Sequence, residues 1–305
     1  MTGPSALVLG EALIDEVTEG DRVFRSPGGS PANVAIGLAR LGVGTRLHTA
    51  IGDDADGELV TRWLTASGVT LTAGSVTDEP TSKAAAVLSP DGSASYRFTL
   101  SWAPSRLDDL GSPTILHTGS LGAFLEPGLE ITQEAILRGR QFGALVSFDP
   151  NIRASLLPDP ERARKSFAEF AFSSQLTKMS DEDAEYLYPG VPVENVLDLL
   201  VDGGISVAAI TRGADDAYLA SGIDRVRIPT VRTRVADTVG AGDSFMAALI
   251  WGLAFQGAGW DGRPVPGDRL EEIGYAAARA AAITVSRAGA DLPTLRELEA
   301  EREDA

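Results

Sequence analysis

The stretch DTVGAGDSF, Asp237–Phe245, joins a glycine turn to the start of an apolar segment. Gly240 and Gly242 stand just ahead of the run FMAALIWGLAF, Phe245 to Phe255, whose one helix breaker is Gly252, so a tight turn is predicted to feed a buried helix. A helix start has unpaired N–H groups and a partial positive charge, which suits an anion. Gly240, Ala241 and Gly242 carry little or no side chain, so phosphate oxygens can approach their amides closely. Asp243 then stands beside that phosphate as a proton acceptor. A cradle for the charge that moves and a base for the attacking hydroxyl are the layout of a phosphoryl-transfer site. Gly-rich turns also lead into helices that do no chemistry, where the Asp is only a cap, so this stretch alone leaves both readings open.

The same device recurs near the other end of the chain, in Pro27 to Gly42, PGGSPANVAIGLARLG. Ala32, Val34, Ala35, Leu38, Ala39 and Leu41 repeat at helical spacing, Gly28 and Gly29 form the entry, and Gly42 is a C-terminal stop. Asn33 in the first turn aims a side-chain amide at a ligand. Upstream, Ala6 to Gly10 (ALVLG) is predicted to be a buried parallel strand. Ligands of open α/β sheets collect beyond the carboxyl ends of strands, so Asp15 is a hydroxyl acceptor for a polyol or, taken alone, a solvated turn residue.

Between and beyond these stretches the chain alternates. Arg46 to Ile51 reads as a strand, followed by a helix through Leu64. Val69 to Leu100 carries alternating residues and a turn at Pro90, Asp91 and Gly92, the pattern of a β-hairpin, which with the segment near Glu16 to Arg25 makes a small separate sheet. From Thr114 onward come a strand at Ile115 to Thr118, a helix near Gly128 to Phe142, a strand at Leu145 to Asp149, another before Lys178, and VAAIT at Val207 to Thr211. Such alternation predicts an α/β fold with a parallel sheet covered on both faces. DPNIR, Asp149 to Arg153, closes one of those strands and puts Asn151 and Arg153 where ligands collect.

DTVGAGDSF resembles the C-terminal signature of the ribokinase-type (PfkB) sugar and nucleoside kinases, DTxGAGD, and Gly28, Gly29, Asn33 and Ala35 match the spacing of that family's N-terminal motif, GGxxxNxA. The resemblance implies a ribokinase-like three-layer α/β/α fold with a mainly parallel central sheet and a small β-sheet lid. One domain would span residues 1–305, with lid strands inserted at 14–26 and 70–101. It implies an ATP-dependent kinase in which Asp243 is the base and the amides of Gly240, Ala241, Gly242 and Asp243 stabilise the transferred phosphoryl group. Asp15, Gly28, Gly29 and Asn33 would hold the sugar, and the lid would exclude water. Arg97 and Trp102 either face the substrate from the lid or are ordinary surface and packing residues. DPNIR resembles a stretch of the fructokinase-like branch and of 2-keto-3-deoxygluconate kinases, so a hydroxymethyl group of fructose is the favoured acceptor. The keto acid is the nearest rival, and its carboxylate would want Arg97 or Arg153.

The remaining motifs match in part. Lys178, Ser180 and Asp183 stand where the family carries NxxE, which organises Mg2+ and phosphate through water, and Asp183 is one methylene shorter than Glu. Thr211 and Gly213 match TxGxxG, which lines the nucleotide, while Asp216 replaces its second Gly. Ala277 and Ala278, in the Ala-rich helix Ile273 to Val285, stand where many members pack an Asn near adenine. The loop Arg287 to Asp291 resembles a monovalent-cation loop, with Asp237, Val239, Thr284 and Gly289 as the positions that would surround K+. Paired lids imply a homodimer.

Composition limits the alternatives. With 305 residues, 44% hydrophobic and 23% charged, the chain can bury one large core. A net charge of −17 argues against nucleic-acid and anionic-membrane partners, which need clustered Lys and Arg. There are no cysteines, and only His48 and His117 offer imidazole, so thiol chemistry and a multi-histidine zinc site are not expected. No secretory signal or spanning segment is visible, and a cytoplasmic location is the expectation. Gly257, Gly259 and Gly262 satisfy GxGxxG but precede Arg-Pro-Val-Pro rather than a strand, so they are read as a surface loop. No GxxxxGK[ST] occurs. Two other classes stay open: a catalytically silent sugar-binding regulator, against which retention of Asp243 argues, and a dinucleotide oxidoreductase, which lacks its fingerprint after the first strand.

Overall fold

The computed structural model describes residues 3–20, 22–88, 94–256 and 263–300, apart from the side chains of 19, 86–88, 94–97 and 256. The chain opens with β1 (Ser5–Leu9), β2 (Leu13–Glu19), β3 (Arg22–Gly28) and α1 (Ser30–Arg40). There follow β4 (Gly44–His48), β5 (Ile51–Gly52), α2 (Ala55–Ala66), β6 (Thr70–Leu71), β7 (Val76–Thr77), β8 (Lys83–Leu88) and β9 (Ala94–Thr99). The middle alternates through β10 (Ile115–Gly119), α3 (Gly128–Gln141), β11 (Leu145–Asp149), α4 (Pro160–Ala171), β12 (Leu176–Ser180), α5 (Asp181–Leu187), α6 (Val193–Asp202) and β13 (Val207–Thr211). Last come β14 (Ala217–Ser221), β15 (Asp224–Ile228), α7 (Ala241–Gln256), α8 (Gly267–Val285) and α9 (Leu295–Ala300).

Nine strands form the central sheet in the order β15-β14-β13-β12-β11-β10-β1-β4-β6. Every pairing from β6 to β13 is parallel, and the pairs β13–β14 and β14–β15 are antiparallel. The run ALVL in β1 shows why the sheet must be covered twice. Ala6 and Val8 enter a core built with α1, α2, α7 and α8, while Leu7 and Leu9 enter a second core built with α3 to α6. A strand apolar on both faces is stable only between two helical layers. The second core is anchored by Phe148, whose ring stacks on Phe170 at 5.5 Å and tilts against Phe167 at 5.9 Å.

The small sheet has the order β3-β2-β8-β9. The expected span from residue 70 divides: β6 pairs with β4 at the edge of the central sheet and β7 pairs with β5, so only β8 and β9 join β2 and β3. The turn expected at Pro90, Asp91 and Gly92 lies outside the described residues. Asp56, buried at the start of α2, binds the guanidinium of Arg25 on β3 and the ammonium of Lys83 on β8 at 2.8 Å, which ties the base of the small sheet to the main body. Among the described residues no helix is long and apolar enough to cross a membrane.

Candidate active site

A cavity of about 1180 Å³ lies beyond the carboxyl ends of β1, β10, β11 and β12, under the small sheet, with the N-termini of α1 and α7 at its wall. The topology makes this place: side chains just past four parallel strands converge there, and helices returning from the sheet point their first amides into it.

Asp243 sits in the first turn of α7 and is partly exposed to the cavity. Ser30 donates from Oγ to its Oδ1 at 2.6 Å, and Asn33 donates from Nδ2 to its Oδ2 at 2.7 Å. The two N-terminal residues of α1 thus fix the carboxylate of α7 across 210 or more positions of sequence. Burial pushes the Asp243 carboxyl above the usual carboxylate range, against the pull of those two hydrogen bonds and of the Lys178 and Arg153 charges. The amides of Gly240, Gly242 and Asp243 have no acceptor among the described residues, and that of Ala241 makes a long 3.3 Å bond to the Thr238 carbonyl. A side chain on Gly242 would stand 2.9 Å from Lys178 Nζ, so an ammonium faces the same amides. This corner can receive an anion and, next to it, accept a proton.

The expected sugar positions converge on the same cavity. Asp15 on β2, Gly28 at the end of β3, Gly29, Asn33, Asn151 and Arg153 all line it. Glycine at position 28 leaves room for the Asp15 carboxylate, because a Cβ there would lie 2.0 Å from Asp15 Oδ2 and displace it. Asn33, expected to aim at a ligand, spends its amide nitrogen on Asp243 and keeps a buried Oδ1 without a partner. Burial raises the Asp15 carboxyl, opposed by Arg153. Arg153 forms no salt bridge among the described residues, yet its charge acts on Asp15, Asp243 and Glu11. The Arg97 side chain lies outside the described residues. Trp102 is buried against Gly128 in the loop before β10, as a packing residue would be.

Lys178, in the middle of β12, makes a buried ion pair with Asp149 at 2.8 Å. Burial opposes its charge, but Asp149, Asp183 and Asp243 outweigh it and hold the ammonium protonated above its usual range. Ser180 and Asp183 are used differently from the expectation. Asp183 Oδ2 accepts the Ser180 amide at 2.9 Å in a capping box at the start of α5, and Oδ1 accepts the Ile152 amide at 2.7 Å. The short side chain folds back on its own helix start and pins the DPNIR loop, each oxygen accepting one amide. Glu182, one residue earlier, lines the cavity instead.

Thr211, Gly213 and Ala278 do not line the cavity. Asp216, in place of a glycine, accepts from Arg227 and from the Thr230 amide at 3.1 Å, closing the turn after β13 against the strand that follows β14. Asp237 and Gly289 both line the cavity edge, where Asp237 accepts the Val239 amide at 3.1 Å and the Gly289 amide at 2.9 Å. Thr284 is buried in α8 with its hydroxyl on Ser244 Oγ and the Ala280 carbonyl. Among the described residues no group of three or more His, Asp or Glu side chains is arranged to hold a metal ion.

Sequence reasoning passed over Ser30, Ser120 and Glu11. Ser30 was legible as the residue after the glycine pair, but its partner lies far along the chain. Ser120 and Asn151 follow the ends of β10 and β11 in the left-handed region, with φ of 50° and 37°, a conformation worth about 1–3 kcal/mol of strain each for such residues. Asn151 is of a residue type enriched in that region, whereas Ser120 carries no such local signal.

Comparisons with known proteins agree with this geometry. The model of the pfkB family of carbohydrate kinases matches residues 6–297. A fructokinase of Rhizobium leguminosarum bv. trifolii is 34% identical over 81% of this chain and 79% of its own length, and a fructokinase of Escherichia coli is 30% identical over 97% and 98%. Among solved structures, a fructokinase of Xylella fastidiosa with bound ATP superposes with a TM-score of 0.86, at 26% identity and 99% coverage of both chains.

Proposed function

This chain belongs to the pfkB family of carbohydrate kinases and is an ATP-dependent sugar kinase, and from that premise we propose that it phosphorylates a hydroxymethyl group of fructose. One observation carries the proposal beyond the family. A carboxylate fixed by Ser30 and Asn33 stands beside amides without acceptors among the described residues and a buried ammonium, in a cavity that Asp15, Asn151 and Arg153 also line. ATP with Mg2+ supplies the electrophilic phosphoryl group. Asp243 orients the acceptor hydroxyl and takes its proton as the new P–O bond forms and the bond from the γ-phosphorus to the bridging oxygen breaks, leaving ADP. It need not be strongly basic, because a loose transition state asks for little charge on the nucleophile early on. The Gly240, Gly242 and Asp243 amides and Lys178 Nζ face the charge on the transferred group; one such donor is worth about 3–4 kcal/mol in acyl transfer. Asp15, Asn151 and Arg153 orient the sugar, and the small sheet keeps water from accepting the phosphate. Mg2+ would be held mainly by phosphate and water, with Asp183, whose oxygens each accept one amide, acting through water. K+ is proposed at the Asp237–Gly289 loop junction, where the Asp237 carboxylate and the Gly289 loop meet at the cavity edge.

A neutral sugar suits the site better than 2-keto-3-deoxygluconate, because the carboxyls of Glu11, Asp15 and Asp243 gather there, while Arg40 and Lys178, the cavity's cations besides Arg153, are paired with Asp291 and Asp149. Arg153, without a salt bridge, is the observation that favours the acid. ADP release measured over fructose, other hexoses, pentoses, nucleosides and the keto acid is the test. Fructose is expected to give the highest kcat/KM; preference for the keto acid, abolished by Arg153→Gln, would transfer the assignment, and no turnover with any of them would support a silent regulator.

A further inference from the structure

Glu11 follows β1 at its carboxyl end and lines the sugar side of the cavity, yet it is only 6% exposed. The Ser120 hydroxyl, held by the left-handed backbone described above, stabilises the carboxylate, while Oε2 has no hydrogen-bond partner among the described residues. A carboxylate retained only for packing would have both oxygens satisfied, because a buried acceptor left unpaired is costly. Arg153 attracts Glu11 without forming a salt bridge to it. We propose that Glu11 is a substrate-binding residue whose Oε2 accepts a hydrogen bond from a hydroxyl of the bound sugar. The inference rests on the sugar-kinase reading and adds a contact to it.

The charged groups around Glu11 set how the contact responds to pH. Asp243 on α7 repels its charge, Arg153 after β11 attracts it, and Asp15 on β2 and Lys178 on β12 line the same cavity. Burial pushes the Glu11 carboxyl up to about 7, with Asp243 adding to the rise and Ser120 and Arg153 opposing it. A carboxyl so raised is protonated below that pH and ionised above it, so the acceptor gains strength on the alkaline side.

Sugar affinity is to be measured by calorimetry without nucleotide, from pH 5.5 to 8.5, for the native protein and for Glu11→Gln. Fructose is expected to bind the native protein more tightly as pH rises through about 7, and Glu11→Gln to bind roughly 10- to 100-fold more weakly at pH 8 with a flat profile, the range expected for losing a charge-assisted bond. KM for ATP should stay within twofold and the melting temperature close to native. A Glu11→Gln affinity within threefold of native, or an unchanged pH slope in that variant, overturns the inference and leaves water as the partner of Oε2. Monodeoxy fructoses titrated against the native protein give a check that needs no variant: one of them must lose the pH dependence, and if none does, Glu11 touches no hydroxyl. Failure of the native protein to phosphorylate any sugar would instead remove the reading on which the inference rests.

Discussion

Replacing Asp243 with Asn separates chemistry from folding at this site. The side chain keeps its shape, and its Oδ1 can still accept from Ser30 at the present 2.6 Å. The other end becomes an amide nitrogen facing Asn33 Nδ2 at 2.7 Å, two donors in contact. Asn33 can relieve that by turning its amide, since its Oδ1 is unpartnered, so the structural cost is expected to stay near the 1 kcal/mol net worth of one ordinary hydrogen bond. The proton acceptor, in contrast, is lost. General base catalysis contributes about 10²- to 10⁴-fold, or roughly 3–5 kcal/mol of barrier at 1.36 kcal/mol per decade. Asp243→Asn should therefore release ADP at least a hundredfold more slowly at saturating sugar, while sugar and ATP bind within threefold of native by calorimetry. Turnover within tenfold of native would refute the assignment of the base. Loss of binding together with turnover would mean that the carboxylate holds the site together rather than moving a proton.

Other consequences follow from the same contacts. Gly28→Ala must displace Asp15, so KM for the sugar should rise at least tenfold with KM for ATP unchanged; an unaltered sugar KM would remove Asp15 from the binding site. Asp183→Ala frees the Ile152 amide and undoes the capping box, which should lower stability by about 1–3 kcal/mol and raise the sugar KM through a mobile Arg153, as read by denaturant titration and steady-state kinetics. Because Asp243 is raised by burial and must be ionised to act, kcat should fall on acidification with a midpoint above the usual carboxylate range; an acid limb with its midpoint at or below that range would contradict this. At the C-terminus, bonds from Thr294 hold Glu297 down at about 2, from an ordinary 4.5. A depressed carboxyl stabilises the fold above the unfolded value and loses that contribution as pH falls through the folded one. Glu297→Gln should thus lower the melting temperature slightly at pH 7 and leave it unchanged near pH 2, with less than about 1 kcal/mol at stake because the group is half exposed.

What the chain determined on its own was set by local periodicity and by glycine. Buried strands such as ALVL and VAAIT, helices after each strand, and two glycine turns entering helices were enough to place a parallel sheet between helical layers and to put Asp243 and Gly28 at its ligand-bearing edge. Those features depend on neighbours within one turn or one strand, which sequence displays directly. The tertiary structure alone decided which polar groups were free. Asp183 also pins the DPNIR loop, and Asn33 also holds Asp243 where α1 meets α7, contacts that no local pattern displays. Glu11 gave no signal because its significance is an absence, an oxygen with no donor in a cavity closed by Ser120, Arg153 and Asp243 from three distant parts of the chain. Hydrogen-bond capacity is written residue by residue in the sequence, but its allocation between the protein and a ligand is fixed only when segments a hundred or more positions apart come within about 3 Å of one another.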